Sequence, residues 1–573
     1  MAANPSVLDP SRRAADLERM RTETFDLVVI GGGVTGAGVA LDAATRGLSV
    51  ALVEQRDFAA GTSSRSSKLF HGGLRYLEQF DFGLVTEALH ERNLMLRRLC
   101  PHLARPVSFL YPLTHRVWER AYVGAGIALY DVLAAFGDNP LPRHRHYSRR
   151  AATTLVPSLR DGSCTGGIRY WDAQVDDARH TMAVVRTAAA HGAAIATSVR
   201  AVDIHRDQGG TVEAISVVDL ESGDADHPRI RIEARQVVNA TGVWTDQIQD
   251  LVGGSSLRVR ASKGVHLVVP RDRIDAGTGL ICRTPKSVLF VIPWGAHWLV
   301  GTTDSDWELD LAHPAASSTD VDYLLDQANR WLDPGLTKDD VIGVYAGLRP
   351  LLYGESESTS KLSREHAVST VTPGLITVAG GKYTTYRVMA SDAVDAVVSA
   401  LGRSERSRTA DVPLVGAAGW DDVRDRRDEL ARDAGVAPAV IDHLLGRFGA
   451  ETTEVLELLR QDPTLGDHLP GTDQYLAVEV HVATAIEGAL HLDDVLTRRT
   501  RISIETADRG VSAAPVAARI MARVLDWDEA TIAAEVGAYR LRVAAELDSQ
   551  EAADDRTADE RRLGAPDVRA FTP

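Results

Sequence analysis

Three glycines and one carboxylate define the first chemistry open to this chain of 573 residues. Gly31, Gly33 and Gly36 form G-x-G-x-x-G, and Glu54 follows Gly36 by 18 residues. Gly31 permits a tight turn, Gly33 lets the backbone approach a pyrophosphate, and Gly36 lets a helix pack close to the preceding strand. The helix N-terminus offers unpaired N–H groups and a positive dipole to the phosphates. A carboxylate at Glu54 can accept hydrogen bonds from both ribose hydroxyls. This is the pattern of a dinucleotide site.

Three later segments narrow the cofactor. TSSRSSKLFHGGLRYLE (62–78) is dense in hydroxyls and small residues, which suit a pyrophosphate and a flavin ring. VVNATG (237–242) reads as an apolar strand followed by small residues that a ligand can approach closely. In TVAGGKYTTYR (377–387), Gly380 and Gly381 end a strand and open a helix whose N-terminus can face an anion. In a flavoenzyme that placement stabilises negative charge on the reduced ring. Thr384 and Thr385 suit flavin or phosphate contact, and equally suit N-capping. There is no second G-x-G-x-x-G and no C-x-x-C. This argues against a separate NAD(P)H site and against a pyridine-nucleotide:disulfide reductase. FAD is the expected cofactor and a small organic molecule the expected electron source.

These residues need a frame. Residues 26–30 form a β-branched run suited to a buried parallel strand, 38–45 continue as a helix, and 48–53 read as a second strand. The cofactor segments lie hundreds of residues apart, as in a domain interrupted by insertions. The region 420–547 is rich in Ala, Leu, Asp and Arg at helical spacing. The tail 546–573 carries eight acids and four arginines with little apolar periodicity, and reads as partly disordered.

Composition bounds the rest. The formal charge is −16, which disfavours general nucleic-acid binding. Cys100, Cys164 and Cys282 lie far apart, so neither a zinc ribbon nor a disulfide framework is encoded. No metal is expected. No targeting segment is visible, and no stretch reaches bilayer-spanning length. One island departs from the acidic average. Residues 97–150 hold nine arginines against three acids, and Trp118, Tyr122 and Tyr130 border or lie in the apolar stretch 121–136. That combination suits an anionic membrane surface.

The motifs at 25–54 and 62–78, with GLRPL (347–351) and GGKYTTYR (380–387), resemble FAD-dependent, quinone-linked glycerol-3-phosphate dehydrogenases over roughly residues 25–545. YWDAQVDDARH (170–180), VRASKGVHLVVP (259–270), VGTTDSD (300–306) and HLDDVLTRRTRISIE (491–505) are similar to the family's pattern as well. The resemblance implies an α/β fold: a doubly wound Rossmann-like FAD domain of the glutathione-reductase/amine-oxidase type, an inserted β-rich substrate domain and an all-α C-terminal domain. The expected division is an extension at 1–24, FAD-binding segments at 25–105, 171–250 and 365–400, substrate-binding segments at 106–170 and 251–364, and helices over 405–545.

The implied reaction is oxidation of sn-glycerol 3-phosphate to dihydroxyacetone phosphate, with hydride passing to FAD N5 and electrons then to a membrane quinone. Binding a phosphate dianion needs forked or multiple cations. Arg364 and Lys382 are expected chiefly on the phosphate, and Arg75 and Arg349 near the other substrate oxygens. A neutral histidine is the natural base near pH 7. His266 matches the family's candidate, with Arg349 as its catalytic neighbour, and His71 competes. The expected cofactor contacts are Gly31, Gly33, Gly36, Glu54, Thr62, Ser63, Ser64, Ser67, Lys68, His71, Gly72, Gly73, Leu74, Val199, Ala240, Thr241, Gly242, Gly381, Lys382 and Thr384. The expected location is cytoplasmic, peripheral on the inner face of the membrane, with a homodimer as one assembly. The rival readings are an oxidase that returns electrons to O₂, a flavin amine oxidase of related fold, and a flavoprotein acting on tRNA.

Overall fold

The computed structural model describes residues 4–569 apart from 74–76, 78–80, 136–138, 223–227, 286–287 and 354–364. At its centre lies a six-stranded sheet in the order His366–Thr372, Leu375–Gly380, Val237–Asn239, Leu27–Ile30, Val50–Val53, Ala194–Ala196. The inner pairs are parallel, and only the outermost pair is an antiparallel hairpin. Ile30 pairs with both Val53 and Asn239. Gly31, Glu54 and Ala240 therefore leave three neighbouring strands along one edge, the carboxyl edge where such sheets bind ligands.

Both faces of this sheet are covered, which explains why its strands are apolar throughout rather than alternating. On one face pack helices Val34–Thr45, Asp177–Ala190 and Tyr386–Ala400. On the other lie the N-terminal helix Pro10–Thr22 and a four-stranded sheet containing Val199–Arg206, Val212–Asp219 and Arg229–Ala234.

A larger, mostly antiparallel sheet forms the roof of the site. Its strand Val259–Pro270 pairs antiparallel with Gly343–Leu352, so that Ser262 faces Arg349, Gly264 faces Gly347 and His266 faces Tyr345. Residues two apart point to one face. One side of this ladder thus presents His266, Arg349 and Tyr345 together, separated by two glycines. A Cβ on Gly264 would lie 2.5 Å from the Arg349 guanidinium, and one on Gly347 would lie 2.6 Å from Arg65 O. The glycines keep the roof thin enough for the cations to lie against it.

The C-terminal region is helical from Trp420 to Ser549, around its own apolar core. It docks on the rest largely through buried ion pairs. Arg179 meets Glu487, Arg186 meets Glu451, and both Arg498 and Arg499 meet Asp57. Removing one member of such a pair costs about 3–5 kcal/mol, because the other charge is stranded out of water. These contacts make the docking specific rather than merely apolar.

The disordered tail expected over 546–573 is corrected in its described part. Helix Glu529–Ser549 runs on past residue 545, and a further helix spans Asp555–Arg562. Arg569 then donates to both carboxylate oxygens of Asp494, at 2.8 and 2.7 Å, and to Ser198 Oγ at 2.7 Å. The tail lacks apolar periodicity because its anchors are charges matched to buried carboxylates. The three cysteines are free and buried. Among the described residues no metal-ligating cluster occurs, and no helix is long and apolar enough to cross a membrane.

Candidate active site

A cavity of about 1110 Å³ runs along the carboxyl edge of the central sheet and under the roof. That volume lies just above the usual range for a single small-molecule site, as a dinucleotide plus a substrate requires. Its floor is the glycine cradle. Gly31 has φ of +113°, and a Cβ there would lie 2.7 Å from Ala240 O. Gly33 caps helix Val34–Thr45 and brings no side chain of its own to the helix end. A Cβ on Gly36 would lie 1.9 Å from Gly31 O, so only glycine lets this helix approach the strand. Glu54 is anchored by the amides of Gly32 at 2.6 Å and Arg56 at 2.8 Å, and burial raises its pKa. The open cradle, the glycine-capped helix end and the anchored acid fit a bound FAD.

The hydroxyl segment supplies the next wall. Ser63 Oγ accepts from Val34 N at 2.9 Å, and Thr62 Oγ1 donates to Leu348 O at 2.5 Å. Both line the cavity, as do Ser67, His71, Gly73, Val199, Ala240, Thr241 and Gly242. Thr384 Oγ1 accepts from His71 N at 3.1 Å, which ties the HGG loop to the GGK turn. Gly380 and Gly381 have φ of +78° and +76°, a left-handed pair that turns the chain so that Lys382 lines the cavity.

His266 lies under the roof with its ring stacked on Tyr345, centroids 4.8 Å apart and planes 8° apart. Its Nε2 is 2.9 Å from Ser67 Oγ. Its Nδ1 is buried and finds no hydrogen-bond partner among the described residues. Burial, then the charges of Arg349 and Lys68, push its pKa well below the ordinary 6.5. The imidazole is therefore neutral near pH 7 and able to accept a proton. Arg349 is framed by Ser262 Oγ and Asp304 Oδ1, both 3.3 Å away, and by Thr302 Oγ1 and Thr303 O, both at 3.2 Å.

Some expected contacts lie elsewhere. Lys68 does not line the cavity; its buried ammonium donates to Asp177 Oδ1 at 2.8 Å and Ser64 O at 3.1 Å. Ser64 is therefore a backbone acceptor behind the wall. Gly72 packs under Tyr130 and Leu89, and its N–H donates to the Tyr130 hydroxyl at 2.8 Å. Gly36 acts beneath Gly31 rather than at the surface of the cavity. Leu74, Arg75 and Arg364 fall outside the described residues. The residues missed from sequence are those that hold others: Ser262, Thr302 and Asp304 around Arg349, Tyr345 on His266, and Asp177 with Arg501 behind Lys68. VGTTDSD, YWDAQVDDARH and TRRTR carried most of that signal, without saying what each residue would touch.

The chain resembles known proteins over nearly its full length. Residues 26–387 match the family described as FAD dependent oxidoreductase, and residues 407–532 match the C-terminal domain of alpha-glycerophosphate oxidase. Glycerol-3-phosphate dehydrogenase 2 of Mycobacterium tuberculosis (strain ATCC 25618 / H37Rv) is 54% identical over 567 residues, covering 99% of this chain and 96% of that protein. The mitochondrial glycerol-3-phosphate dehydrogenase of Homo sapiens is 35% identical over 539 residues, covering 91% of this chain and 73% of that protein. The X-ray structure of glycerol-3-phosphate dehydrogenase from Bacillus halodurans complexed with FAD superposes with a TM-score of 0.77 at 28% identity, covering 96% of this chain and 99% of that one. With the glycine cradle, the anchored acid and the neutral histidine of one cavity, these matches place the chain in the FAD-dependent glycerol-3-phosphate dehydrogenase family.

Proposed function

We propose that the chain oxidises sn-glycerol 3-phosphate to dihydroxyacetone phosphate and passes the electrons to a quinone. The observation that carries this reading is a neutral His266 beside the Arg349 guanidinium, in the cavity that the dinucleotide cradle floors. Arg349 and Lys382 come from different elements and suit the oxygens and charge of a small phosphorylated alcohol. Arg75 and Arg364 complete this cationic set in the proposal. His266 takes the C2 hydroxyl proton as the C2 hydride departs, so the alcohol loses one proton and one hydride. FAD, held by the cradle of Gly31, Gly33 and Glu54, would supply the hydride acceptor.

Anaerobic mixing with glycerol 3-phosphate should bleach the flavin spectrum fully, while glycerol, glycine and other amino acids should not. Absence of bleaching by glycerol 3-phosphate would reject the reading. The match of residues 407–532 to an oxidase domain favours one second reading, return of electrons to O₂. Stoichiometric peroxide release in air would select it.

The quinone reading places the chain at a membrane. Helix Trp118–Ala135 leaves Trp118, Tyr122 and Val132 more than half exposed, and Arg143, Arg145, Arg149 and Arg150 are exposed nearby in sequence. Part of the basic island is already neutralised, since Arg98 pairs with Asp411 and Arg149 with Asp161. The remainder suits an anionic lipid face. Co-sedimentation with vesicles of anionic phospholipid is expected, and changing Arg143, Arg145 and Arg150 to glutamine should abolish it without altering anaerobic bleaching. Undiminished binding by that variant would count against this surface.

A further inference from the structure

The contacts that hold His266 continue, link by link, into the helical C-terminal region. Its ring is fixed by Ser67 Oγ and by the stacked Tyr345. Both depend on Ser66. The Tyr345 hydroxyl donates to Ser66 O at 3.0 Å, and Ser67 is the next residue. Ser66 donates its N–H and its hydroxyl to Asp177 Oδ2, at 2.9 and 2.7 Å. Lys68 closes the turn with φ of +57°, a region that lysine rarely occupies unless its surroundings enforce it. Here the enforcement is its pair of bonds to Asp177 and Ser64 O.

Arg501 stands behind all of these. Its guanidinium donates to Asp177 Oδ1, to Asp176 Oδ1 at 2.5 Å and to Ser64 O at 3.2 Å. The side chains of Lys68, Asp177 and Arg501 are at most 2% exposed, so water cannot replace a lost partner. Arg498 and Arg499 leave the same stretch of chain but end on Asp57, which touches neither the turn nor the base. They dock the helical region without reaching His266. Arg501 docks it onto the segment that carries the contact of the base.

We propose that Arg501 is a positioning residue for the reaction: through Asp177 it holds the Ser66–Ser67–Lys68 turn, and that turn holds His266 where it meets the substrate hydroxyl. The proposal rests on the reading of His266 as the base. It gives the helical C-terminal region a part in the chemistry, although that region contributes no described residue to the cavity lining.

Charge supplies a readout that simple destabilisation would not. The charged and titratable groups around His266 are Arg349 and Tyr345 from strand Gly343–Leu352 and Lys68 from the turn. Behind Lys68 lie Asp176, Asp177 and Arg501, and behind Arg349 lies Asp304. Without Arg501, Asp176 and Asp177 lose the cation they share, and the positive field on His266 weakens. Protonated His266 then becomes easier to form, so the acid limb of the rate moves to higher pH.

The test is the anaerobic stopped-flow rate of flavin bleaching by glycerol 3-phosphate, measured against pH on FAD-loaded wild type and variants. Arg501→Gln should lower the limiting rate roughly ten- to a hundred-fold, the scale of a misplaced reacting group. The substrate dissociation constant should stay within about two-fold, because the cations of the cavity have other supports, and the acid limb should move up. Arg501→Lys should restore the limb and part of the rate. Ser67→Ala should show the rate loss, and Arg499→Gln should leave the limb in place. Arg501→Gln holoenzyme with wild-type rate and limb would overturn the proposal. If that variant does not retain flavin, Ser67→Ala and Asp177→Asn decide, and unchanged rates and limbs in both would overturn it. His266→Ala run in parallel separates the two failures. A limb that survives in it removes the base reading and the proposal together; a limb lost there but unmoved in Arg501→Gln removes the proposal alone.

Discussion

Replacing His266 with alanine is expected to lower the limiting rate of flavin reduction by about 10²–10⁴-fold, the usual contribution of a positioned general base. The purified variant should keep its FAD, because the cradle at Gly31, Gly33 and Glu54 makes no described contact with the imidazole. The pH dependence carries the sharper information. The wild-type base is neutral at pH 7, since burial and then Arg349 and Lys68 push its pKa well below the ordinary 6.5. Its rate should therefore stay level from neutrality downward and fall only as pH drops through that depressed value. In His266→Ala the fall should vanish along with the rate. His71 is the rival histidine; its backbone N–H donates to Thr384 Oγ1, and its ring lies edge-on to Phe290, centroids 6.4 Å apart. His71→Ala should change flavin retention more than it changes the limb. A His266→Ala enzyme reduced within ten-fold of wild type, with the limb lost instead in His71→Ala, would transfer the role to His71.

The cradle was legible in the sequence because its requirements are local. Gly31, Gly33, Gly36 and Glu54 meet within one strand–helix–strand unit, and Gly31 and Gly36 each answer a clash that can be named in advance. The base and its neighbours were legible only as resemblance. Ser67 and His266 are 199 positions apart, and Asp177 and Arg501 are 324 apart. Nothing local distinguishes Arg501 from a solvated arginine. Its burial follows from two carboxylates and a carbonyl that the fold delivers from elsewhere. The same blindness applies to the tail. Arg562 and Arg569 are 6% exposed, yet their segment looks like a solvating one, because a sequence shows charge without showing its counter-charge. Lys68 is the mirror case: a cation beside hydroxyls reads as a ligand contact, whereas its side chain is consumed by Asp177. Composition misleads similarly at 97–150, where part of the arginine excess is already paired within the protein.

Changing Arg349 is the second large effect, and it should act in two ways at once. The guanidinium is held as a fork by Ser262, Thr302, Asp304 and the carbonyl of Thr303, with Gly264 leaving room for it. Hydrogen bonds to a charged group are worth about 1.5–3 kcal/mol each. Loss of two, at about 1.4 kcal/mol per factor of ten, puts the fall in kcat/KM for Arg349→Met at roughly 10³-fold. Removing this charge also relieves His266 of its strongest electrostatic neighbour, so the pKa of the base rises. The acid limb should move to higher pH while staying below neutrality, because burial, the larger cause of the depressed pKa, is unchanged. Arg349→Lys tests geometry against charge. A lysine ammonium is a compact point charge without the planar fork, so it should restore the position of the limb while recovering only a small part of the rate. Asp304→Asn should cost less, since Asp304 touches the guanidinium at 3.3 Å and retains Ser262 Oγ at 2.5 Å. Stopped-flow reduction across pH measures each quantity on the same holoenzymes. A limb that moves in Arg349→Met and returns in Arg349→Lys, with the rate still low, would show that Arg349 serves the base through its charge and the substrate through its shape. A lysine variant as fast as wild type would instead leave Arg349 as a general counter-charge, and the orientation of the substrate would then fall to Lys382.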